Sequence, residues 1–133
     1  MKVFKLSPLA KWQIEQETWG LMCPLSFVRL LFFINQNGDK LFSFSDPLTL
    51  FGVEVAHAHF VCTERNFSLH ILQNRTENGY LLPEFPTLDY VLVLQDAPAD
   101  IKADWRTAIR ELPEFMFVSV LPAKTWDFGH SPF

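Results

Sequence analysis

At 133 residues, with 49% hydrophobic and 20% charged side chains, the chain can bury one core, is too short for two, and is too apolar for intrinsic disorder. Its net charge of −4 and the scatter of its 11 basic residues argue against a nucleic-acid binder, which needs clustered Lys and Arg to displace condensed counterions. The 14 phenylalanines are the unusual feature, because so many rings either crowd the core or leave apolar surface for a partner.

Along the chain, Lys5, Ser7, Pro8 and Lys11 interrupt the apolar stretch that a secretory signal needs. "WQIEQETWGL" alternates Trp12, Ile14 and Gln16 against Gln13, Glu15 and Glu17, the pattern of a half-exposed strand. "PLSFVRLLFFINQNG" reads as a helix with Pro24 in its first turn and Gly38 just past its end. Phe32 and Phe33 are adjacent in it. Two helix positions about 100° apart cannot both face one core, so one of these rings is a candidate for contact with a partner. "KLFSFS" is a short strand, and "DPLTLFG" a connector around Pro47 and Gly52. "VEVAHAHFVC" and "NFSLHILQN" form a hairpin.

After an "ENG" turn comes the stretch "YLLPEFPTLDYVLVL". Pro83 and Pro86 push Leu82 and Phe85 toward extended geometry. Glu84 is suited to accepting turn N–H groups, and Asp89 to anchoring the amides of a neighbouring strand. Leu88, Tyr90, Leu92 and Leu94 alternate with Val91 and Val93, giving a strand apolar on both faces and therefore central. The stretch is read as a structural hinge, not an acid–base pair. Ile101, Trp105, Ala108, Ile109 and Leu112 then form one stripe of a second helix, and "FMFVSVL" is a last strand.

The expected order is β-α-β-β-β-β-α-β: an α+β fold with an antiparallel sheet of about five to six strands and two helices on one face. A ferredoxin-like core with added strands satisfies it. Residues 1–122 form the domain and 123–133 a tail whose Trp126, Phe128 and Phe133 are expected to dock, in cis or on a second subunit.

"LPEFPTLDY" resembles the signature of the bacterial IPExxxVDY family, with Leu82-Pro83-Glu84, three intervening residues, then Leu88-Asp89-Tyr90. Leu82 stands for Ile and Leu88 for Val, and "ILQNRTENGY" is similar to that family's strand, Asn and glycine turn. The resemblance implies no activity, cofactor or catalytic residue.

Apolar alternation sets the register of the central hairpin, with Cys62 opposite Phe67, Phe60 opposite Leu69, and His59 opposite His70. His57 falls on the same face, so His57, His59 and His70 are candidate metal ligands, although no carboxylate is evident to support them. GxSxG, P-loop and GxGxxG motifs are absent from the sequence, and no cofactor is expected. Cys23 and Cys62 lack metal or redox spacing and read as reduced thiols of a cytoplasmic protein. No apolar run approaches the ~20 residues that cross a bilayer. The function expected is a non-catalytic binding or protein-interaction module, self-associating or bound to another protein. A small-ligand pocket between sheet and helix is the alternative.

Overall fold

The computed structural model describes residues 16–37, 42–111 and 117–121. In chain order the elements are β1 (Gln16–Met22), α1 (Phe27–Asn37), β2 (Ser43–Leu50), β3 (Val53–Cys62), β4 (Phe67–Gln73), β5 (Arg75–Thr76), β6 (Gly79–Tyr80), β7 (Tyr90–Gln95), α2 (Ala99–Arg110) and β8 (Phe117–Val120). Six strands form one sheet in the order β2-β3-β4-β7-β1-β8, with every neighbouring pair antiparallel. β5 and β6 pair separately as a two-residue ladder. The run β8-β1-β7-β4, with α1 after β1 and α2 after β7, has the order of a ferredoxin-like core. β2 and β3, inserted after α1, extend it on the β4 side.

Both helices lie on one face, as expected. Leu30, Leu31 and Ile34 of α1 and Ile101, Trp105 and Ile109 of α2 are buried in one cluster with Trp19, Leu69, Leu92 and Leu94. Trp105 stacks on both Trp19 and Phe42, at 5.6 Å in each case. Such rings each contribute about 1.5–3 kcal/mol of burial. The central strand β7 is buried at all six positions.

Three local expectations are corrected. The first helix begins at Phe27, because Ser26 caps it: its Oγ accepts the Arg29 N–H (3.3 Å). Pro24 therefore lies in the connection before the helix, and Gly38 is outside the described residues. The "DPLTLFG" stretch is not a connector, since β2 runs through Pro47 to Leu50 with a register shift between Ser45 and Leu48. An edge strand tolerates a proline at a bulge because its outer N–H groups have no ladder to join. Phe51 (φ 51°) and Gly52 (φ 79°) then make the tight turn into β3. Finally, Leu88 does not alternate with the strand: β7 begins at Tyr90, and Leu88 packs on the helix-free face with Val91 and Val93.

The signature segment is a knot of turns rather than an extended hinge. Phe85 N–H donates to Leu82 C=O (3.0 Å), and Leu88 N–H to Phe85 C=O (3.2 Å). Asn74, fully buried, ties it down. Its Nδ2 donates to the carbonyls of Phe85 (3.0 Å) and Leu88 (2.8 Å), while its Oδ1 accepts the Leu82 N–H (2.8 Å). Its backbone N–H donates to Asp89 C=O (2.9 Å), and its C=O accepts the Leu81 N–H (2.8 Å). Leu81, Leu82 and Leu88 are thereby pressed onto the sheet. Leu88 sits so close to β1 that a Cβ on Gly20 would come within 2.4 Å of its Cδ1.

Asn74→Ala should cost on the order of 3 kcal/mol, since it removes the side-chain partners of the buried Leu82 N–H and the Leu88 carbonyl and one of the two donors to Phe85 C=O. Asp89→Ala, which deprives the Cys23 N–H of its acceptor (2.8 Å), should cost about 1–3 kcal/mol. Urea unfolding of the two variants measures both losses, and unchanged midpoints would refute the tie.

Candidate functional site

Among the described residues, two of the hollows gather residues singled out from the sequence. One, of about 580 Å³, is lined by Cys23, Arg75, Asp89 and Tyr90 among others, and so contains the Asp-Tyr pair of the signature. Its polar groups are engaged in holding the chain. Asp89 Oδ2 accepts the Cys23 N–H, and Oδ1 lies 3.4 Å from the Arg75 guanidinium. The Tyr90 hydroxyl donates to Leu25 C=O, and burial raises the phenol's pKa well above its ordinary value. Together Asp89 and Tyr90 fasten residues 23–25 and so set where α1 starts. Pro83 and Glu84 are exposed, away from this hollow's lining. The signature thus places two of its residues in a clamp and two on the surface.

The second hollow is a cleft of about 470 Å³ on the helix-free face, lined by Ser45, Asp46, Leu48, His57, His59, Val61, Ser68, His70 and Gln95. Its position follows from strand alternation. His57, His59 and Val61 of β3 share a face with Ser68 and His70 of β4, and the next strand adds Gln95. The register is the one that hairpin patterning predicts, with His59 opposite His70 and Cys62 opposite Phe67. The three ring centroids lie 5.2 Å (His57–His70), 5.7 Å (His57–His59) and 6.5 Å (His59–His70) apart, with interplanar angles of 23°, 34° and 30°.

The hydrogen bonds fix where the protons are. Ser68 Oγ donates to Gln95 Oε1 (3.2 Å), so its oxygen must accept from His70 Nε2 (3.0 Å). A neutral His70 then presents a lone pair at Nδ1, which accepts from His57 Nε2 (2.9 Å). Gln95 Nε2 in turn donates to Gln16 Oε1 (3.2 Å). The chain His57→His70→Ser68→Gln95→Gln16 runs in one direction. His59 is held separately, its Nδ1 against Ser45 Oγ.

Burial drives His57 down to about 4, with the charge of His59 adding to it, and drives His70 down to about 3, with His57 and His59 adding to it. Both rings are neutral at pH 7. The expected metal candidates His57, His59 and His70 do meet on one face, and the His57 and His70 nitrogens that face each other share a hydrogen bond. Among the described residues, no three His, Cys, Asp or Glu side chains stand where they could hold a metal ion. Ser45, Asp46, Ser68 and Gln95 were not singled out from sequence. Ser68 and Gln95 have the parity of the histidines in the strand pattern, which is a usable signal, whereas Ser45 and Asp46 reach the cleft at the β2 bulge.

Of the interaction candidates, Phe32 is 61% exposed and Phe33 half-buried, edge to face at 5.5 Å. Trp126, Phe128 and Phe133 lie outside the described residues. No described helix is long and apolar enough to cross a membrane. No protein-family model, curated protein or solved structure matches the chain.

Because His57 and His70 titrate well below the unfolded value of about 6.5, the unfolded chain binds more protons throughout the interval below it. Stability should therefore be greatest above pH 6.5 and fall on acidification, by about 2 kcal/mol per ring between pH 6.5 and 5. Denaturant midpoints across that range, compared with those of a His57→Gln/His70→Gln variant, test this. The variant should show a shallower fall, and an equal slope would place the rings' titration elsewhere.

Proposed function

We propose that the protein is a non-catalytic binding module whose ligand seat is the histidine cleft. The observation that carries this reading is the one-directional hydrogen-bond chain from His57 to Gln16. It orders the polar wall of the cleft in advance, so that a ligand does not have to supply the ordering itself. Its volume is within the usual range of small-molecule sites, and Leu48 and Val61 add apolar wall to it. Binding is favoured over catalysis because the protons of His57 Nε2, His70 Nε2 and Ser68 Oγ are committed to the next member of the chain, His70, Ser68 and Gln95 in turn. This seat lies on the helix-free face of the sheet. The signature spacing supports grouping the chain with the bacterial IPExxxVDY family. Cys23 and Cys62, both thiols, support a reducing, cytoplasmic setting.

A second reading, self-association, is favoured by α1. Val28 and Phe32 are one helical turn apart and 64% and 61% exposed, an apolar ridge on a helix whose opposite side is fully packed.

A thermal-shift screen of small metabolites should yield compounds that raise Tm of the native protein but not of Val61→Trp, in which the exposed Val61 becomes a ring filling the cleft. Compounds acting equally on both would refute the seat. In sedimentation at micromolar concentration the native chain should be a dimer and Phe32→Glu a monomer. A native monomer would remove the second reading.

A further inference from the structure

The chemistry of the cleft narrows its occupant, on the premise that the cleft is a ligand seat. Among the described residues, no lysine or arginine lines it, and the one carboxylate that does, Asp46, is exposed at the β2 bulge, so an anion finds no counter-charge in that lining. The charged and titratable groups facing the rings are Asp46 from β2, His57 and His59 from β3 and His70 from β4, while β7 supplies the neutral Gln95. A metal ion is not served, since the described residues offer no ligand triad. A purely aliphatic ligand would cover the exposed Asp46 carboxylate and the half-buried His59 ring without returning the hydrogen bonds that water gives them, which is costly.

What fits is a flat, neutral molecule with donors and acceptors at its edge. His57 and His70 are buried, at 6% and 3% exposure, whereas His59 is half-buried and is the ring open to an incoming molecule. Ser45 fixes the orientation of the His59 ring. Its plane is inclined by 34° to His57 and by 30° to His70, so a ligand lying on it is inclined by about as much to the two neighbouring rings. Val61, on the same strand face two residues on, adds an apolar wall beside it.

We infer that the cleft takes an uncharged, amino-substituted heteroaromatic ring of the nucleobase class, stacked on His59 with its amino group toward Asp46. Stacking of a base on an aromatic side chain is sequence-tolerant and needs no ligand charge. The amino group supplies the donor that a carboxylate at a rim selects.

The test is a titration of the full chain with adenosine, cytidine, benzoate and zinc chloride, followed by the Cε1–H resonances of the histidines. Adenosine or cytidine should give a saturable shift centred on His59. His59→Ala should weaken it about tenfold or more, as expected for a lost base stack. Asp46→Asn, an exposed change that leaves the fold intact, should weaken it about threefold to tenfold. Saturation by benzoate or zinc but by neither nucleoside would overturn the ring class and leave the cleft as a ligand seat. No shift with any probe would overturn both. A nucleoside shift that survives both substitutions would place the ring elsewhere and overturn the inference.

Discussion

The side chain of Asn74 is the constraint on which the helix-free face depends. A loop that crosses a sheet must find partners for its backbone, and carbonyls and amides buried under leucines have no water to turn to. One carboxamide offers two donors and one acceptor in a single plane, and here all three go to the loop. With Asn74 in place, Leu81, Leu82 and Leu88 become a lid over Leu72, Val91 and Val93. Without it, the same leucines would be an exposed loop on an apolar sheet.

The loop covers only part of that face, and the cleft occupies the remainder. Toward β2, the sheet surface changes from valine and leucine to histidine and serine. The two halves of the face are therefore held by opposite means. One is dry and packed, and the other is a directional chain of neutral hydrogen bonds. Neutral imidazoles suit this setting because each carries one donor and one acceptor, so a run of them can be satisfied without burying charge.

Much of this was legible from residue order alone. The class, the helix stripe at Ile101, Trp105 and Ile109, the central position of β7 and the register of the histidine hairpin all follow from periodicity, which reports which face is buried. What periodicity does not report is where a non-local hydrogen bond goes. Asn74 enters the resemblance only as the Asn between a strand and a glycine turn, and its side-chain partners lie 8 to 14 residues on. The edge strand was misread because Pro47 and Gly52 are breaker residues in isolation, and a bulge at a sheet edge suspends that rule. Ser45 and Asp46 enter the cleft through the same bulge, so alternation from β3 and β4 did not reach them. The resemblance carried by Leu82-Pro83-Glu84 and Leu88-Asp89-Tyr90 directed attention to Asp89, which does fasten a neighbouring segment, although through turns rather than an extended hinge.

The contact between Gly20 and Leu88 has a consequence for how the chain can change over generations. β1 is bare at position 20, and the leucine of the signature fills the space a side chain there would take. A methyl group gained at 20 requires the Leu88 side chain to turn aside or to lose carbon. The two sites, 68 residues apart in the chain, are tied into one heritable unit. Any chain that keeps a bulky residue at the first hydrophobic place before its Asp-Tyr pair should keep a glycine in its first strand.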